Sequence, residues 1–441
     1  MPRTSDEQAL LPTLDDTVGP YFPPSLVARD HLDLYRPYVG LTPRVQGSPI
    51  RLRVRLLDID RRPATGALLE IWQANARGFL RVPGAEADLN DDPYFQGYGR
   101  VYSAAGEFEI KTVMPGATRV DSITRAPFIT LTIFSDGIAR LVTQVFFEGH
   151  ALNEIDPLRA GLPLEVAQRL VAKRVAGAPD ALPVYAIDIQ LRGADETPFF
   201  DDVTDCCAND ATMTVPLEQG RTLEVGPTDR TSSQRTPALP LWRIPRLASA
   251  SFAPYVENVP TPRAGENNLT RIAPGRPLAD GDRVEVTGRL ADTAGSPICG
   301  ALVEIWNANR WGRYAHDEDP AREPLDPHFL GIGRTLTDDN GDYRFVTIKP
   351  GAYLARPDIG RWRPRHIHLS LLGKGARLIT QMYFADDPYN ATDPAFMLLG
   401  DARSRHVGRK MPHTSSEFEE AYAFDIVVAS RCGVLFRPEN E

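Results

Sequence analysis

Two histidines two residues apart, His366 and His368, sit in the run Arg363-Pro364-Arg365-His366-Ile367-His368-Leu369-Ser370-Leu371. A β-strand sends side chains i and i+2 to one face, so both imidazoles can meet one metal ion while Ile367 points the other way. Such a pair alone is most simply two half-exposed histidines; its neighbours change its weight. Tyr353 lies thirteen residues before His366 in the turn sequence Lys349-Pro350-Gly351-Ala352-Tyr353, and Tyr314 closes Asn309-Arg310-Trp311-Gly312-Arg313-Tyr314. Phenolate is a hard anionic donor, and two phenolates with two imidazoles suit a trivalent iron better than zinc.

Competing sites are weak. Cys206 and Cys207 are adjacent while Cys299 and Cys432 stand alone, so no spaced pair reads as a zinc knuckle or redox motif, and all four are expected to be free thiols. His31, His150, His316, His328, His406 and His413 are scattered without a metal-binding pattern; His316 and His328 flank the loop after Tyr314. The 441 residues carry a formal charge of −9 with acids and bases interspersed, so no basic stripe offers itself to nucleic acid. No long apolar run predicts a membrane span, and the start lacks the pattern of a secretory signal. A cytoplasmic protein is expected.

The elements that must position these residues repeat. Leu69-Glu70-Ile71-Trp72-Gln73-Ala74-Asn75 returns as Val303-Glu304-Ile305-Trp306-Asn307-Ala308-Asn309, and Arg140-Leu141-Val142-Thr143-Gln144 returns as Arg377-Leu378-Ile379-Thr380-Gln381. Short alternating runs such as residues 50–56 and 283–290 read as half-buried strands, and helical periodicity is clearest over 163–174. The fold class is mostly β: two tandem homologous β-sandwich domains with short helices and long loops. The expected domains are 1–204 and 248–441, joined by a linker and lead-in arm at 205–247 that is rich in Thr, Pro, Asp, Ser and Arg.

The repeat is also a control. Leu80 stands opposite Tyr314, Thr118 opposite Tyr353, Phe128 opposite His366 and Thr130 opposite His368. All four polar side chains are absent together from the first copy. A set lost as a unit implies a site that works as a unit.

At these residues the chain resembles the intradiol ring-cleaving dioxygenases, nearest their protocatechuate-cleaving branch of iron-free α and iron-bearing β subunits. The second half carries the β-like segments around Tyr314, Tyr353, 362–368 and 380–384, and the first half the α-like Thr17-Val18-Gly19-Pro20-Tyr21-Phe22. The resemblance implies non-haem Fe(III) held by Tyr314, Tyr353, His366, His368 and hydroxide, with Tyr353 and His368 axial. Tyr353 would leave the metal and take a substrate proton, so it is also a catalytic residue. Arg363 would stabilise charge on the substrate ring, although its counterpart Arg125 survives in the other half. Gly19, Pro20 and Tyr21 would wall the pocket from across the domain interface, with Gln381 and Trp306 as further substrate contacts; Trp306 also fits a core role.

The implied reaction is ortho cleavage of protocatechuate to 3-carboxy-cis,cis-muconate by O2, within aromatic catabolism by the β-ketoadipate route. Hydroxyquinol or another substituted catechol is the alternative, because Asp136 stands where a carboxylate-binding arginine is expected. Arg361 or Arg365 are candidate substitutes, though regular alternation turns Arg365 away from the metal. Relatives assemble α and β units into shells, so the fused chain either stands as one protomer or forms a homo-oligomer. From other classes, a zinc hydrolase would leave both tyrosines unexplained, and a non-catalytic tandem sandwich would not need the full residue set.

Overall fold

The computed structural model describes residues 10–27, 45–80, 92, 94–120, 123–177, 182–201, 217–225, 230–244, 261–373, 376–412 and 415–429. Cys206, Cys207, Cys432, His31 and His413 lie outside these residues, and Cys299 is an exposed free thiol. The described residues of Met1–Pro23 and Asn258–Ser430 form one compact unit, and those of Pro24–Glu257 form another. Both are built mainly from strands, as the alternating sequence runs predict. No helix among the described residues is long and apolar enough to cross a membrane.

The unit containing the histidines is a sandwich of two sheets. One orders the strands Ile332–Leu336, Leu302–Trp306, His366–Gly373 and Ala376–Tyr383, all antiparallel. The other places Arg283–Asp292 between Asp342–Ile348 and Glu420–Ala423, with Arg409–Met411 beyond and Ile426–Val428 also pairing Arg283–Asp292. Val284, Val286 and Phe345 from one sheet and Val303, Ile305, Ile367, Leu369 and Met382 from the other share one fully buried apolar core. Each such aliphatic side chain contributes about 1.5–3 kcal/mol by leaving water. Ile367, Leu369 and Leu371 take the core side of their strand, which fixes the opposite face for His366, His368 and Ser370.

The second unit repeats the pairing, with Ala67–Gln73 between Tyr98–Ser103 and Phe128–Ser135, the last next to Leu141–Phe147. Two local expectations are corrected here. The expected helix over 163–174 stops at Gln168; Val171–Val175 is a strand pairing Val184–Gln190. Sheet pairing and β-branched Val171 and Val175 outweigh the helical periodicity. The described part of the expected linker is also integral to this unit: Arg230–Arg235 is helical, Trp242–Arg243 pairs Phe200–Asp201, and Leu217, Leu241 and Ile244 are buried in its cores.

The opening segment, expected to start the first domain, packs in its described part, residues 10–23, on the histidine-bearing unit instead. Its main chain is tied by Leu10 N–H to Thr293 O (2.9 Å), Thr13 N–H to Val427 O (2.8 Å) and Asp16 N–H to Ile379 O (2.9 Å). Leu14 N–H donates to Nε2 of the fully buried His406 at 3.3 Å, and His406 Nδ1 lies 3.2 Å from Thr380 Oγ1. Burial lowers the His406 pKa from 6.5 to about 4, and a proton on Nε2 would also oppose the Leu14 N–H. The unfolded chain takes up this proton first as pH falls. Stability is therefore lost between pH 6.5 and about 4, by up to about 3 kcal/mol. Thermal or urea unfolding at pH 7 and pH 4.5 should show a smaller pH penalty in His406→Gln than in the wild type by roughly that amount.

Candidate metal centre

The pleat brings the two histidines together. His368 lies opposite Trp306 on one neighbouring strand and Gln381 on the other, while His366 lies opposite Tyr383. The imidazoles are buried, with Nε2 of His366 3.2 Å from Nε2 of His368. His366 Nδ1–H donates to the Pro364 carbonyl at 2.7 Å, which leaves its Nε2 lone pair facing His368. Trp306 stacks on His368 with centroids 4.7 Å apart and planes 3° from parallel. Burial, followed by the positive field of Arg363, holds the His366 pKa well below its usual range; at His368 burial is followed by His366 and Arg363. Both rings are neutral at pH 7, the state that ligates a metal.

Two turns bring in the phenols. Asn309 Oδ1 accepts from Trp311 N–H (3.0 Å) and Arg313 N–H (3.1 Å), and Gly351 N–H donates to Asn309 O at 2.9 Å, which joins the loops carrying Tyr314 and Tyr353. Gly312, at φ +83°, passes so close to Ala352 that a Cβ there would lie 2.4 Å from its carbonyl oxygen. Tyr314 N–H donates to Asp319 at 2.7 Å, and the buried Tyr314 hydroxyl ends 3.2 Å from His366 Nε2. Tyr353, half-buried, has its ring 5.7 Å from Tyr314 and 5.9 Å from His366. Burial, then Tyr353, raises the Tyr314 pKa well above 10. A multivalent cation reverses that preference, because its charge favours phenolate.

The donors fit such an ion. Cis ligands about 2 Å from one metal are separated by about 3 Å, close to the 3.2 Å spacings from Tyr314 to His366 and from His366 to His368. Among the described residues no group of three or more His, Cys, Asp or Glu gathers to hold a metal. The phenols of Tyr314 and Tyr353 lie beside these two imidazoles.

Arg363 is buried beside this set. Its Nε forms a 3.0 Å ion pair with Asp393, and Nη2 donates to Gln381 Oε1 at 2.6 Å and Tyr383 Oη at 3.3 Å. Burial opposes its charge, but Asp393 and neighbouring groups outweigh this and raise its pKa further. Arg125 in the other unit has the same frame: Nε donates to Asp156 and Nη2 to Gln144, both at 2.8 Å. Asp156 and Asp393 also cap short helices begun by Pro157 and Pro394. The arginine is therefore part of the shared fold as well as of the site. At the positions corresponding to Tyr314 and His366, the other unit packs Leu80 and Phe128 into an apolar cluster with Phe146, Phe200 and Ile244.

The arm completes the surroundings. A Cβ on Gly19, at φ +72°, would lie 3.1 Å from His368 Cε1, so the chain passes directly over that ring. Tyr21, after half-buried Pro20, places its ring 5.1 Å from Tyr314, 6.3 Å from Tyr353 and 5.7 Å from His316. These residues belong to the same unit as the histidines, contrary to the expected approach across a domain interface. Phe22 packs edge-on against buried Trp306 at 5.2 Å, which makes Trp306 a support beneath His368. Arg365 is committed to Asp387 through both N–H (2.9 Å) and Nε (2.8 Å). Arg361 is half-buried on the Arg361–Arg363 strand, and Asp136 is half-buried in the other unit.

Sequence reasoning missed Asp16, Tyr383, Asp393 and Asp319. The Asp-Pro pair repeated at 156–157 and 393–394 was the available signal for Asp393.

Comparison with known proteins finds a dioxygenase family matching residues 18–193 and again 254–430. The protocatechuate 3,4-dioxygenase beta chain of Burkholderia cepacia is 43% identical over 47% of this chain and 89% of its own length. The alpha chain from the same organism is 34% identical over 43% of this chain and 96% of its own. Chlorocatechol 1,2-dioxygenase of Rhodococcus opacus is 37% identical over 27% of this chain and 50% of its own. Matches to both alpha and beta chains within one polypeptide are what a fusion produces.

Gly312→Ala should cost about 1–3 kcal/mol in thermal unfolding and weaken ferric-ion retention against a chelator, because the turn joining the tyrosine loops must open. Gly275→Ala, at φ +79° with open space around it, should show the backbone cost alone and keep the wild-type retention.

Proposed function

Because the chain belongs to the intradiol ring-cleaving dioxygenase family and is an enzyme of that class, we propose that it cleaves protocatechuate between its two hydroxyl-bearing carbons, giving 3-carboxy-cis,cis-muconate. The observation that carries this reading is the meeting of Tyr314 Oη, His366 Nε2 and His368 Nε2 at 3.2 Å spacings, with Tyr353 beside them. Tyr314, Tyr353, His366 and His368 would hold a non-haem ferric ion. When bound, that ion supplies Lewis acidity that favours the doubly deprotonated catechol and draws electron density from its ring.

The protein groups divide the remaining work. Tyr353 is the more accessible of the two tyrosines, so its Oη is the base that takes one substrate hydroxyl proton. Tyr314, held through Asp319, stays in place. The hydrogen bond from His366 Nδ1 to Pro364 keeps that ring in the ligating tautomer. Arg363, fixed by Asp393 and Gln381, presents a preorganised positive charge to the substrate ring. Gly19, Pro20 and Tyr21 exclude water from the side of His368 and Tyr314.

A second reading, hydroxyquinol or another catechol without a carboxylate, draws support from Arg365. Its guanidinium is already neutralised by Asp387, leaving Arg361 as the remaining candidate from the residues flanking the histidines. The ferric protein given each diol in air separates the readings. Protocatechuate should give the highest kcat/KM with 3-carboxymuconate as product. A preference for hydroxyquinol selects the second reading, and extradiol product or no product overturns both. Tyr353→Phe should retain iron and lose about 10²-fold or more in kcat.

A further inference from the structure

We propose that Asp16, on the opening arm, is a positioning residue for Arg363, acting through the hydroxyl of Tyr383. This rests on the intradiol reading above for its catalytic consequence.

The arginine frame occurs twice, and the two copies differ at the position of Tyr383. In the unit without the tyrosine and histidine ligands, Arg125 is held by Asp156 and Gln144, and its guanidinium lies over the Phe128 ring at 4.8 Å. The position beside Gln144 that corresponds to Tyr383 is Phe146, with its ring 6.3 Å from Phe128.

In the histidine-bearing unit the frame is extended. Arg363 Nη2 donates to Tyr383 Oη, which in turn donates to Asp16 Oδ2 at 3.0 Å. Asp16 Oδ1 accepts from Thr17 N–H at 2.6 Å, and Gln381 Nε2 donates to Thr17 O at 2.9 Å. The arm thus grips both groups that receive hydrogen bonds from Arg363 Nη2. Tyr383 is fully buried and Asp16 nearly so. A second buried carboxylate near one guanidinium carries a desolvation cost, and burial pushes the Asp16 carboxyl up to about 6 against the pull of Arg363. The extension occurs in the unit that carries Tyr314, Tyr353, His366 and His368, and Phe146 replaces its tyrosine where those ligands are replaced.

The chemistry follows from hydrogen-bond direction. With its proton committed to Asp16, the Tyr383 hydroxyl turns a lone pair toward Arg363. A hydroxyl free to rotate would spend part of its time donating to Gln381, whose Oε1 lies 3.0 Å away, and would then compete with Arg363 for that oxygen. Asp16 holds the network in the arrangement that fixes the guanidinium plane.

The test uses full-length ferric protein with Asp16→Ala, Asp16→Asn, Tyr383→Phe and the Asp16→Ala/Tyr383→Phe double variant. Iron content and the visible tyrosinate band should stay as in the wild type. Asp16→Ala and Tyr383→Phe should each lower kcat about tenfold or more with little change in KM, and the double variant should be no worse than the poorer single variant. Asp16→Asn, which keeps an acceptor for Tyr383, should recover most of the loss. Independently of turnover, Arg363 Nε–H exchange in ¹⁵N-arginine-labelled protein should be slow in the wild type and Asp16→Asn and faster in Asp16→Ala and Tyr383→Phe. Unchanged kcat, multiplicative losses in the double variant, an Asn variant as poor as Ala, or unaltered exchange overturns the proposal. A wild type that cleaves no catechol yet shows the exchange pattern overturns the functional reading alone.

Discussion

Everything at the candidate centre depends on the pleat of one strand. Ile367, Leu369 and Leu371 are anchored in the sandwich core, so His366 and His368 must share the opposite face. The register then decides what surrounds them: Trp306 and Gln381 flank His368, and Tyr383 faces His366. A slip of one residue would send both imidazoles into the apolar core and move Ile367 to the site. The hydrophobic pattern therefore sets which side chains meet on this face, and burial holds both imidazoles uncharged at pH 7.

The duplicated domain separates scaffold from chemistry. The arginine, glutamine and Asp-Pro helix cap occur in both units, so they serve the shared scaffold. What distinguishes the histidine-bearing unit is the polar set projecting from this scaffold. In its sister Leu80, Phe128 and Phe146 close the corresponding space with apolar contacts. An apolar filling stabilises by burial, whereas buried phenols and imidazoles stabilise only when partnered. Keeping four such groups together makes physical sense when an ion completes them.

Much of this was legible in the chain. Alternation marked the strands, the long repeat marked two related domains, and Tyr314, Tyr353, His366 and His368 stood out through their joint absence from the first copy. The packing of the opening arm was not legible, because its main-chain bonds to Thr293, Val427 and Ile379 join residues hundreds of positions apart. Asp16 and Tyr383 were missed for the same reason. Residues 163–174 misled because only Leu164–Gln168 keeps the helical period, while Val171–Val175 is drawn into a strand by pairing with Val184–Gln190, which the local period does not record. Trp306 looked like a pocket residue or a core residue; it is buried and stacked on His368.

The central claim is that two phenols and two imidazoles hold one ferric ion. Its most direct measurement is the visible and EPR spectrum of the protein after anaerobic loading with one equivalent of iron and oxidation, compared with Tyr314→Phe, Tyr353→Phe and His368→Ala. A tyrosinate-to-iron charge-transfer band and a high-spin ferric signal are expected, with the band altered by either tyrosine substitution and the ion retained poorly without His368. A colourless protein that binds no stoichiometric iron, or a band indifferent to both tyrosines, would contradict it.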